Sequence, residues 1–150
     1  MKVRDLMTTE VVLVKESDSI ARVRRLLGER RFHALPVVDE WGYLKGIVTS
    51  TDFVEILDEH ARVPVEKVMQ RRVYTLPDIL EAEIVARFMG KHRIRHVVVV
   101  RGGKVHGILS SFDLLRALAE CGLKRGSESP VEEDMETLGV KLLESAPGGA

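Results

Sequence analysis

The heptad Gly46-Ile47-Val48-Thr49-Ser50-Thr51-Asp52 returns as Gly107-Ile108-Leu109-Ser110-Ser111-Phe112-Asp113. An internal repeat constrains architecture more than any local propensity, because each copy is one supersecondary unit. The likeness spreads outward from the heptads. Asp5-Leu6-Met7 answers to Lys67-Val68-Met69, Val11–Val14 to Val73–Leu76, Leu35-Pro36-Val37-Val38 to His96-Val97-Val98-Val99, and Gly42 to Gly103. The offset is 62 residues early in the chain and 61 later, which places a dropped residue near position 16. One copy alone, at roughly 55 residues, makes a marginal core, and packing two copies together remedies that. The expected fold is mixed α/β (α+β). Two β-α-β-β-α repeats, over residues 1–60 and 61–122, pack as a pseudo-twofold pair, and an acidic C-terminal tail occupies 123–150.

Each copy reads alike. A short apolar strand (Val11–Val14) precedes a polar turn in which Ser17 and Ser19 are both candidate helix caps. Ile20, Val23, Leu26 and Leu27 then fall on one helical face, with arginines elsewhere. A hairpin follows, LPVVD and YLKGIV, turning at Glu40-Trp41-Gly42; in the second copy Arg101-Gly102-Gly103 is better turn chemistry still. The heptad opens a last helix, with Phe53, Ile56 and Leu57 as its apolar face in copy one and Leu114, Leu115 and Leu118 in copy two. In the tail, Val131, Met135, Leu138 and Leu142 follow helical spacing that Gly139 weakens. That stripe is either a loosely attached helix or a segment that docks on the body or on a partner.

The heptads sit where a buried strand passes into a helix. The first amides of a helix lack internal partners and carry partial positive charge, so anions settle there. Thr49, Thr51 and Ser110 add hydroxyls beside those amides. Asp52 and Asp113 offer paired oxygens suited to a vicinal diol such as that of ribose. Gly46 and Gly107 leave room for a flat group to approach the strand. A second explanation needs no ligand: a hydroxyl followed three places later by an acid is also a capping box. Both readings stay open, and both can hold together.

Taken as a whole, the order strand, helix, LPVVD, turn, Gly-apolar-apolar-Thr/Ser-x-x-Asp, helix, written twice, resembles the CBS-domain family, named after cystathionine β-synthase; a tandem pair is a Bateman module. The resemblance implies a non-catalytic regulatory module that binds an adenosine-containing molecule (AMP, ADP or ATP foremost) in clefts between the repeats. It requires no cofactor. By position, the resemblance assigns the ribose to Asp52 with Thr49 and to Asp113 with Ser110. Thr51 matches a phosphate-side hydroxyl that Phe112 lacks. Arg95 matches a basic residue two places before the proline position, where the first copy has Ala34 with His33 beside it. The base would rest on Val12 and Ile47, or on Tyr74 and Ile108. Unequal sites are expected. The resemblance further implies a homodimer, through Phe53/Ile56/Leu57 and Leu114/Leu115/Leu118, and a separate regulated protein. The alternative is a structural dimerisation or partner-docking module with no ligand.

Other classes find little support. Lys+Arg 23 balances Asp+Glu 23, so no broad field draws nucleic acid or an anionic membrane. The aliphatic run Val97–Val100 is far too short to span a bilayer, and MKVRDLMTTE lacks a signal-like apolar stretch, so a cytoplasmic protein is expected. The single Cys121 excludes an internal disulfide. No HExxH or Walker A pattern points to an enzyme, and the expected strand near Ile94 breaks the helical spacing of His92 and His96 that a metal would need.

Overall fold

The computed structural model describes residues 1–29, 32–53, 56, 58–121 and 134–145. It divides into two units. The first holds Val11–Val73, Gly103–Val105 and the described part of Leu143–Ala150; the second holds Met1–Glu10, Tyr74–Gly102 and the described part of His106–Leu142.

In the first unit, β1 (Val14–Lys15) runs parallel to β2 (Ala34–Val38), which pairs antiparallel with β3 (Leu44–Thr49). All but one residue of β2 is buried, as its unbroken apolar run requires. The helix Ile20–Glu29 covers the sheet with Ile20, Val23 and Leu27. Its N-terminus is capped by Ser19, whose Oγ accepts the Arg22 amide at 3.2 Å.

The second unit repeats this plan. Strand β4 (Arg72–Leu76) is parallel to β5 (His96–Arg101), and the sheet order is β6 (Lys104–Ser110), β5, β4, β7 (Lys141–Glu144). The helix Ala82–His92 supplies Ala82, Val85 and Met89 to the core, and the helix Ser111–Cys121 supplies Leu114 and Ala117. The two-residue turn between β5 and β6 uses Gly102 and Gly103 at φ 60° and 79°, left-handed values that suit glycine.

Each unit is completed by the segment that precedes the other copy. Val65 and Met69 belong to the first unit's core, where the Val65 amide donates to Asp18 O at 2.7 Å. Their counterpart Val3 lies in the second unit's core and donates to Leu80 O at 2.9 Å. This exchange gives the two heptad glycines their purpose. A Cβ on Gly46 would lie 2.6 Å from Gln70 O and 2.7 Å from Met69 Sδ; on Gly107, 2.6 Å from Met7 Sδ and 3.1 Å from Thr8 O. The space expected for a flat ligand is filled by methionine and backbone.

Three further expectations change. The copies keep an offset of 62 through their parallel pairs, since Val14↔Val37 matches Leu76↔Val99. The dropped residue therefore falls in the hairpin and not near position 16, and a β-bulge between Val37 and Val38 absorbs the extra residue of copy one. The last element of copy one is no full helix among the described residues. It is 3-10 over Ser50–Phe53 and again over Asp58–His60, whereas the Leu- and Ala-rich second copy continues as an α-helix. Finally, the tail stripe is broken. Met135–Leu138 form one helical turn, Gly139 ends it at φ 73°, and the chain continues as β7 on the edge of β4. Met135 and Leu138 pack on the second core beside buried Val140, which is docking on the body; Val131 lies outside the described residues.

Candidate functional site

At the first strand-to-helix junction, Asp52 Oδ2 accepts the Thr49 amide at 2.7 Å and the Thr49 hydroxyl at 3.0 Å. Thr49 Oγ1 lies 2.9 Å from Thr51 Oγ1, which makes one hydroxyl row. The other carboxylate oxygen, Oδ1, accepts Gln70 Nε2 at 2.9 Å. The capping explanation thus holds here, with Asp52 fastened to its own loop.

The second junction is a reciprocal capping box. Asp113 Oδ2 accepts the Ser110 amide at 2.8 Å, and Ser110 Oγ accepts the Asp113 amide at 3.1 Å. Asp113 Oδ1 faces Arg116 at 3.7 Å, beyond hydrogen-bond distance, and the Asp113 side chain is 15% exposed. Where Thr51 stands in the first copy, Phe112 is exposed in the second.

The remaining candidates separate by location. The Ser50 amide donates to His33 O at 3.2 Å and the Ser111 amide to Arg95 O at 2.9 Å, so His33 is the structural counterpart of Arg95, and not Ala34. Both His33 and Arg95 are exposed. Arg95 joins Arg93 and Ser111 at the polar side of an otherwise apolar groove of about 430 Å³ within the second unit, walled by Met89, Leu114, Leu115 and Leu118. Val12 is half-buried against the first core, and Ile47 is buried and paired with Gln70. Ile108 pairs with Thr8 in the same manner. The Tyr74 ring is engaged edge-on by Phe88 at 5.3 Å, with His92 at 6.4 Å.

Sequence reasoning missed Gln70. The signal was available: it stands where the first copy has Thr8, one place after the matching methionines. The expected dimer face also contracts. Phe53 and Leu114 are buried, Ile56 is half-buried, Leu57 lies outside the described residues, and Leu115 and Leu118 are exposed beside Phe112. Among the described residues no cluster of His, Cys, Asp and Glu is placed to hold a metal, and no helix is long and apolar enough to cross a membrane.

Among curated proteins, a Methanocaldococcus jannaschii protein, MJ1404, is 29% identical over 147 residues, covering 87% of this chain and 34% of its own length. A Thermofilum pendens relative is covered over 49% of its length, so the chain matches a third to a half of these longer proteins. Among solved structures, the CBS domain pair of protein MJ0100 in complex with 5'-methylthioadenosine and S-adenosyl-L-methionine superposes with a TM-score of 0.71. It is 31% identical, over 79% of this chain and 96% of that one. CBSX2 in complex with AMP gives a TM-score of 0.70 at 27% identity, over 79% and 96%. The CBS-domain model itself matches residues 3–59 and 65–120, and the chain therefore belongs to the CBS-domain family, with two CBS domains in tandem.

Proposed function

We propose that this chain is a regulatory module that binds an adenosine-containing nucleotide through the carboxylate at a strand-to-helix junction, and that binding is read by a partner protein. The observation that carries this reading is Asp113. Its Oδ2 is anchored by the Ser110 amide, while Oδ1 has, among the described residues, only an exposed Arg116 at 3.7 Å. A carboxylate fixed on one oxygen is oriented to receive a diol on the other, and hydrogen bonds to an ionised acceptor are the stronger kind. The similar pairs solved with 5'-methylthioadenosine, S-adenosyl-L-methionine and AMP support the ligand class. Those three molecules share adenosine, and the first two carry no phosphate. The ribose and base therefore define the class, and Arg95 and Arg93 would select among phosphorylated forms such as AMP, ADP and ATP.

A nucleotide changes the module only if it favours one arrangement over another. Exposed Phe112, Leu115 and Leu118 on the helix Ser111–Cys121 offer the surface on which such a change would be read, by a second copy of the chain in a homodimer or by the regulated protein. No residue is assigned a catalytic role. Isothermal titration with AMP, ATP, 5'-methylthioadenosine and S-adenosylmethionine tests the reading. Binding by at least one of them, weakened tenfold or more in Asp113→Ala, supports it. Indifference of the native chain to all four at millimolar concentration refutes it and leaves the docking module.

A further inference from the structure

We propose that Gln70 holds the first junction closed, so that a nucleotide is taken at the Asp113 junction alone; this rests on the adenosine reading above. Gln70 and Thr8 occupy the same place in their units. Gln70 exchanges both backbone hydrogen bonds with Ile47, each at 2.9 Å, and Thr8 does so with Ile108 at 2.9 and 3.0 Å. Ile47 lies five residues before Asp52, and Ile108 five before Asp113. Backbone register therefore brings residue 70 to one carboxylate and residue 8 to the other.

The side chains differ in reach. The Gln70 amide spans to Asp52 Oδ1 at 2.9 Å, and a carboxylate partner requires that the NH₂ group, not the amide oxygen, makes the contact. A carboxylate has roughly four lone-pair directions. At Asp52 three are taken, by the Thr49 amide, the Thr49 hydroxyl and Gln70. At Asp113 one is taken among the described residues, by the Ser110 amide. A ribose diol brings two hydroxyl donors, which fits the second carboxylate and not the first. Thr8 makes no side-chain hydrogen bond to Asp113 among the described residues, and the Arg116 ion pair is exposed and weakly held. The difference between the sites thus comes from a residue outside both heptads, carried in by the segment that precedes copy two.

The test is AMP titration of the full chain, as native protein and as Gln70→Thr, Asp113→Ala and Gln70→Thr/Asp113→Ala, following stoichiometry. Expected are one nucleotide per native chain, none for Asp113→Ala at the same concentrations, two for Gln70→Thr, and one for the double variant. The opened first site tightens by roughly tenfold or more, as loss of a hydrogen bond competing for a charged group allows. The retained Asp113 site in Gln70→Thr reports that the variant is folded. One nucleotide in both native chain and Gln70→Thr, or native binding that survives Asp113→Ala, overturns the closure and leaves the adenosine reading intact. Absence of binding by every protein, with ATP, 5'-methylthioadenosine and S-adenosylmethionine as well as with AMP, overturns both.

Discussion

Replacing Gly46 with alanine gives a test in which the sign alone decides. Neither Gly46 nor Gly107 has a positive φ, so alanine is compatible with the backbone at both positions. In open space the substitution would stabilise the protein by about 0.4–1 kcal/mol, by narrowing the unfolded ensemble. The structure predicts the opposite. At Gly46 the new Cβ would stand 2.6 Å from the backbone oxygen of Gln70, and that oxygen is fixed because it accepts the Ile47 amide at 2.9 Å. Relief requires moving the exchanged segment, at the upper end of the roughly 1–3 kcal/mol that overpacking costs. At Gly107 the nearest atom is Met7 Sδ, at 2.6 Å, with backbone farther off at 3.1 Å. A flexible thioether gives way more easily, so Gly107→Ala should cost about 1–2 kcal/mol. Urea denaturation reads the difference. With a slope of about 2 kcal/mol/M, a loss of 2 kcal/mol lowers the midpoint by about 1 M. Adding Met7→Ala to Gly107→Ala should recover part of the loss, with a coupling of about 1 kcal/mol, whereas Met69→Ala should do little for Gly46→Ala. A raised midpoint for Gly46→Ala would falsify the exchange of segments between the copies.

Ser19→Ala removes the hydroxyl that receives the Arg22 amide and should lower stability by about 1 kcal/mol; an unchanged denaturation midpoint contradicts the cap. Asp134 is held below the usual carboxylate range by the Thr137 amide at 2.8 Å. A folded pKa below the unfolded one contributes stability above the unfolded value, which is lost as pH falls through the folded value. The Thr137 amide resonance should therefore shift as pH drops below about 3.9, and an amide that does not titrate there excludes the cap. Leu115→Glu/Leu118→Glu places charge on the exposed face of the last helix of copy two. Sedimentation should report a species near 16.8 kDa for this variant and twice that for the native chain. Equal masses for the two proteins remove that face from the dimer.

Much of the fold was legible because the repeat is. Once Gly46–Asp52 and Gly107–Asp113 are matched, the repeated strand, helix and hairpin follow from apolar periodicity and turn residues, and the two junction carboxylates from the heptads themselves. The exchange of leading segments was not legible. Val3 and Met7, or Val65 and Met69, present the same apolar spacing whichever core receives them, and only the packing and hydrogen-bond register of the folded chain tell the two apart. The dropped residue was misplaced because runs of valine align equally well one position over, whereas hydrogen-bond register does not. The tail misled for a similar reason. Met135, Leu138 and Leu142 satisfy a helical period, but Gly139 reverses the chain and turns the last of them into a strand residue. At the junctions the acids and hydroxyls were found. Their inequality was sought in the hydroxyls and cations, where Thr51 stands against Phe112 and His33 against Arg95; Gln70 adds a further difference, far along the chain and adjacent only through backbone pairing.

A crystal structure of the full chain grown with excess AMP addresses the account most directly. It should show the two ribose hydroxyls within hydrogen-bond distance of Asp113 Oδ1, with the Ser110 amide still on Oδ2. A nucleotide whose ribose lies away from both Asp113 and Asp52 would contradict it.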